Sequence, residues 1–173
     1  MIQDAFFIDA TAGKKPCPNR RLVNTYSKLH QIHDELNTLL YANPVERPSI
    51  NSPKDGWEII KDFMDCLDHE ELWTILLDRR NRVQQLVKVY VGSVDSAQVR
   101  VGELFKHAII NSSSAMIIAH NHPSGDPTPS PDDVAVTRAI IAAGKLLDIV
   151  ILDHIVIGRS NFVSLKERGL GFT

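Results

Sequence analysis

The stretch His120-Asn121-His122-Pro123-Ser124-Gly125-Asp126-Pro127-Thr128-Pro129-Ser130-Pro131-Asp132-Asp133 decides how this chain is read. As a pattern it is H-x-H-x7-S-x2-D. Ala115-Met116-Ile117-Ile118-Ala119, just before it, is short, apolar and partly β-branched, which predicts a buried strand. Residues two apart in extended chain point to the same side, so the rings of His120 and His122 can reach one metal ion. The following loop is stiffened by prolines and turned by Gly125. Ser130-Pro131-Asp132-Asp133 then predicts a helix start, with serine at the N-cap, proline first and acids in the first turn, and the helix is expected to run to about Leu147. A loop folding back would bring Asp133 beside the histidines. Two imidazoles and a carboxylate with an open fourth position is the arrangement of catalytic zinc, whereas a structural site closes with four protein ligands. The bland alternative is that Ser130 and Asp133 only form a capping box.

Working outward, Leu22 to about Tyr41 reads as a helix with Leu29, Ile32, Leu36, Leu39 and Leu40 on one stripe. Residues 43–56, with Pro44, Pro48 and Pro53, read as a linker, and a helix is expected from Trp57 to about Leu67. Strands follow near Leu72–Asp78 and Val83–Val91, then an amphipathic helix from Val101 to about Ile110. A final hairpin pairs Ile149–Ile157 with Phe162–Leu165. The pattern is α/β, with an N-terminal helical extension over 1–50 and a domain over 51–173.

The run HNHPSGDPTPSPDD resembles the JAMM (MPN+) metalloprotease motif, and in detail the bacterial RadC family. The segments ELWTILLDRRNRV, VGELFKHAI and LLDIVILDHIVIG add to that likeness, which spans Glu70 to Gly169. The resemblance implies a JAMM/MPN-type, cytidine-deaminase-like mixed sheet sandwiched by helices. It implies one zinc per chain held by His120, His122 and Asp133. It also implies a Ser130 hydroxyl that bonds the hydrolytic water or a developing oxyanion, and an upstream glutamate as general base. Glu71, at the head of the apolar run Leu72–Leu77, matches that base best; Glu103 is the runner-up, and its simpler reading is a carboxylate at a helix N-terminus. Glu70, one residue off, is expected to face the other way. The implied reaction is hydrolysis of an amide bond, with a peptide or protein as substrate. The family also carries an association with DNA repair, which would make this a DNA-associated accessory protein whose metal site is structural or vestigial.

Composition narrows the classes. The chain has 173 residues, 43% of them hydrophobic, which suffices for one core and an extension. A net charge of -2 gives no global nucleic-acid signal, and Lys14, Lys15, Arg20, Arg21 and Lys28 read first as a solvated segment and only second as a phosphate contact. Two cysteines, Cys17 and Cys66, make no disulfide framework and read as ordinary thiols. The N-terminus lacks a signal peptide's basic and apolar regions, and no run approaches a membrane span, so cytoplasm is the default expectation. The chain lacks the H-E-x-x-H of thermolysin-like enzymes and the P-C-x-x-C of zinc deaminases. His30 and His33 share a helical spacing without an accompanying acid, and His154 reads either as a support to the site or as a hydrogen-bonded strand residue.

Overall fold

The computed structural model describes Lys28, Ile32, Leu36 and residues 47–64, 67–92 and 99–172. The basic segment, Cys17, Cys66, His30 and His33 lie outside these residues. So does the helix expected over 22–41, apart from helical backbone at Lys28, Ile32 and Leu36.

In chain order the elements are α1 (Pro53–Met64), β1 (Glu71–Leu77), β2 (Val83–Val91), α2 (Val101–Ile110), β3 (Ala115–Asn121), α3 (Pro131–Leu147), β4 (Val150–Ile157) and β5 (Phe162–Ser164). They form an α/β fold around a mixed five-stranded sheet, ordered β2-β1-β3-β4-β5. β1 runs antiparallel to both β2 and β3, β3 and β4 are parallel, and β4 and β5 close a hairpin. The parallel step needs a crossover, and α3 supplies it.

Each face of the sheet has its own core. Alternate side chains Trp73, Ile75 and Leu77 of β1, with Ile117 and Ala119 of β3, pack against Ile60 and Met64 of α1. The intervening Leu72, Leu76, Met116 and Ile118 pack against Leu104, Phe105 and Ala108 of α2 and Val136 and Ile140 of α3. β1 and β3 are therefore buried along their whole length, which is why both read as nearly continuous apolar runs.

The linker expectation needs correcting at its end. Residues 53–56 are the first turn of α1 rather than linker. The cause is local: Asp55 N donates to Ser52 Oγ at 3.3 Å, and Ser52 N donates to Asp55 Oδ2 at 2.9 Å. Ser52-Pro53-Lys54-Asp55 is thus the same reciprocal cap that opens α3 at Ser130-Pro131-Asp132-Asp133.

α3 packs closely on the turn into β4. A Cβ at Gly144 would lie 2.6 Å from the Ile149 carbonyl oxygen, so the helix can approach only with glycine there. That approach sets the height of α3 along β4 and with it the position of the helix's first turn.

Candidate metal centre

β3 delivers the two histidines. His120 is its penultimate residue and faces the α2/α3 core, opposite Leu72 of β1. His122 lies one residue beyond the strand, and its N–H still donates to the Ile157 carbonyl at 2.9 Å. The chain is thus extended through His122, and both rings point the same way. The loop returns through Gly125, whose carbonyl accepts from Arg159 N at 3.0 Å, and enters α3 through the Ser130 cap.

Asp133 is the third residue of that helix and is buried. Its Oδ1 lies 3.1 Å from His120 Nε2, its Oδ2 lies 3.6 Å from His122 Nε2, and the two Nε2 atoms are 3.1 Å apart. One ligand atom from each of the three residues lies within 4.8 Å of the others, so the group could hold a metal ion. The donor chemistry fits such an ion. His122 Nδ1 lies 2.9 Å from the Asp126 carbonyl, which can only accept, so Nδ1 carries a proton and, in the neutral ring, Nε2 keeps its lone pair. Two imidazole nitrogens and a carboxylate oxygen are a donor set that suits a metal ion.

The electrostatics agree. Burial alone would raise the Asp133 carboxyl, but His120, His122 and Ser130 outweigh it and hold the group far below the usual carboxylate range. The Asp133 carboxylate raises His122, against its partial burial, with help from the Asp126 carbonyl and the charges of Asp133 and Glu70. Burial and the neighbouring His120 push His154 well below the ordinary histidine value.

Ser130 is tied directly to Asp133. Its N–H and its hydroxyl each lie 2.7 Å from Asp133 Oδ2, and Asp133 N donates back to Ser130 Oγ at 3.1 Å. The hydroxyl orients the carboxylate. The capping box and the site are therefore the same structure.

Glu71 is not brought to the cluster, and this corrects the expected base. It sits on the Trp73 side of β1, away from Leu72 and His120. Trp73 Nε1 donates to its Oε2 at 2.7 Å, while Lys88 Nζ and His69 Nε2 lie 3.0 and 3.1 Å from Oε1. Burial works to raise this carboxyl, yet Lys88, Trp73 and His69 together hold it below its ordinary value. Glu103 is no substitute, since it is a surface residue 3.3 Å from Arg100.

The neighbouring Glu70 lies on the cluster's side. Alternation along the chain puts it on the face of Leu72 and His120, and its charge acts on His122. Asn121, between the two histidines, holds the backbone on either side of it. Asn121 Oδ1 accepts from Glu71 N at 2.8 Å, and Asn121 Nδ2 donates to the His69 carbonyl at 2.9 Å. A cleft of about 530 Å³ opens beside His122 on the α1 side of the sheet, lined among others by Asn121, Leu67, Ile157 and Arg159.

Comparison with known proteins points the same way. The family model described as RadC-like JAB domain matches residues 50–170. A UPF0758 protein of Roseiflexus castenholzii is 54% identical over 134 residues, covering 78% of this chain and 58% of that protein. A UPF0758 protein of Chloroflexus aurantiacus is 55% identical over 127 residues, covering 73% and 56% respectively. One from Desulfitobacterium hafniense is 44% identical over 129 residues, covering 75% and 57%. The matched stretch is thus less than two thirds of each relative's length.

Proposed function

The chain belongs to the family of RadC-like JAB domains, and from that footing we propose that it is a zinc-dependent hydrolase that cleaves an amide bond in an extended peptide or protein segment. The observation that carries the proposal is the convergence of His120 Nε2, His122 Nε2 and the Asp133 carboxylate. Among the described residues the group holds three ligands, and a structural site would favour a fourth protein ligand. When bound, zinc supplies Lewis acidity, polarising a carbonyl and lowering the pKa of water toward neutrality.

The chain's own residues supply the rest. Glu70, beside His122, takes the proton of the attacking water on its carboxylate and hands it to the leaving amine. Ser130 keeps Asp133 oriented through the two bonds to Oδ2. Asn121 fixes the backbone that presents Glu70. The cleft beside His122 receives the segment flanking the scissile bond, with Leu67 and Ile157 as apolar wall. The domain division belongs to the same proposal: residues 51–173 carry the activity and 1–50 form an extension. Among the described residues, no helix is long and apolar enough to cross a membrane.

The test sets a peptide library against supercoiled and single-stranded DNA, using zinc-loaded protein with Glu70→Gln as control. The expected result is Glu70-dependent peptide cleavage. Glu70-dependent DNA cleavage with intact peptides would overturn the proposed substrate, and inertness toward all of them would favour the accessory reading.

A further inference from the structure

Behind the cluster lies a chain of three buried side chains that begins and ends on Asp133. Thr137 stands one helical turn after Asp133, and its Oγ1 is 2.6 Å from the Asp133 carbonyl oxygen. A carbonyl can only accept, so Thr137 spends its single hydroxyl hydrogen there. The same Oγ1 is 2.6 Å from His154 Nδ1. With its hydrogen already committed, Oγ1 can only accept, and His154 must carry a proton on Nδ1. A neutral imidazole has one N–H, which leaves a lone pair on His154 Nε2. That atom is 2.9 Å from His120 Nδ1, so His120 must donate from Nδ1. The lone pair of His120 is thereby placed on Nε2, the atom 3.1 Å from Asp133 Oδ1 and 3.1 Å from His122 Nε2.

Each step is enforced by burial. His120 and His154 are 0% exposed and Thr137 is 1% exposed, so no bulk water replaces a missing partner. Topology brings His154 there: it pairs with Ile118 across the parallel β3–β4 ladder and so lies on the same face as His120. A proton on both nitrogens of His154 would push His120 into the opposite tautomer, with its hydrogen aimed at Asp133. The ring nitrogens of His154 meet His120 Nδ1 and Thr137 Oγ1, and neither partner is a carboxylate that would support that charged form.

We infer that His154 and Thr137 are positioning residues that lock His120 in the tautomer whose Nε2 can ligate a metal ion, so that binding requires no proton rearrangement on that ring. The inference rests on the reading of His120, His122 and Asp133 as metal ligands, but its first arm does not use a metal. Hydrogen-bonded partners of this kind typically change metal affinity by about 10–100-fold when removed.

The first measurement is a long-range proton–nitrogen NMR correlation on metal-free, ¹⁵N-histidine-labelled protein. The expected result is Nδ1–H with an unprotonated Nε2 for both His120 and His154. A proton on His120 Nε2 would overturn the inference even if zinc binds. The second measurement is zinc affinity, by competition with a chromophoric chelator, for wild type, Thr137→Val and Thr137→Ser. Thr137→Val keeps the shape and removes the hydroxyl that bonds the buried His154 N–H, so the folded variant should melt lower and bind zinc about 10–100-fold more weakly, and Thr137→Ser should restore both. Unchanged affinity in folded Thr137→Val, or no restoration by Thr137→Ser, would overturn the inference. If Thr137→Val does not fold, the tautomer of the wild type decides. Failure of wild type to bind zinc, with the tautomers as expected, would sink the metal reading and leave the locked tautomer standing.

Discussion

Leu72 of β1 pairs directly with His120 of β3, and Asn121 accepts a hydrogen bond from the neighbouring Glu71 N–H. The face that carries Leu72 therefore carries the histidine cluster, and Glu71 lies on the other face with Trp73. The adjacent Glu70 and Glu71 therefore face opposite ways.

Glu70→Gln should lower hydrolysis by about 10²-fold or more while leaving zinc content and melting temperature near wild type. Glu71→Gln should instead cost roughly 1–3 kcal/mol of stability, because it removes the charge held by Lys88, Trp73 and His69. The sign of its pH dependence follows from the lowered carboxyl. That stabilisation is present above the unfolded value and is lost as pH falls through the folded one. The gap between wild type and Glu71→Gln in denaturant titrations should shrink in acid. Loss of hydrolysis in Glu71→Gln with full activity in Glu70→Gln would reverse the assignment.

Asn121→Ala should leave the Glu71 N–H and the His69 carbonyl without their partner. Urea unfolding should show a loss of about 2 kcal/mol. Activity should fall more than stability explains, since the backbone presenting Glu70 is freed, while zinc per chain stays the same. Wild-type turnover in this variant would show that Glu70 needs no such support.

Zinc binding should strengthen as pH rises. Asp133 raises His122 in the metal-free protein, and that ring must be deprotonated to bind. In the metal-free chain, the stability due to the raised His122 is fully present below its unfolded value and is lost as pH climbs through the folded one. Below the folded value, apparent zinc affinity should drop about tenfold per pH unit, one proton being displaced per ion. The zinc-induced rise in Tm should accordingly grow between about pH 5 and pH 8. A pH-independent affinity across that range would contradict the proton count.

Gly158→Ala should disturb the site from outside it. A Cβ there would overlap Asn161 Oδ1 and the Gly125 carbonyl oxygen and would lie 2.7 Å from Pro127 Cδ. The displaced loop carries Asp126, whose carbonyl fixes the His122 tautomer. Both melting temperature and zinc affinity should fall. A folded variant with unchanged zinc affinity would show that the loop does not set His122.

Much of this was legible locally. The meeting of His120, His122 and Asp133 follows from a strand end, an i, i+2 pair and a helix cap, all within 14 residues. The start of α1 was equally local, because Ser52-Pro53-Lys54-Asp55 repeats the signature at Ser130, but the prolines around it suggested a linker. The choice between Glu70 and Glu71 was not local. Alternation says that they oppose each other, but only the register of β1 against β3 says which one shares a face with His120. His154 was harder still, since one histidine in an apolar strand gives no hint of its partner. Parallel pairing across the α3 crossover brings it to His120.

The reading of His120, His122 and Asp133 as ligands stands or falls on metal content. Elemental analysis of wild-type protein and His122→Ala, both purified under zinc-replete conditions, should find about one zinc per chain in the first and a small fraction of that in the second. Equal zinc in the two proteins, or none in wild type, would contradict it.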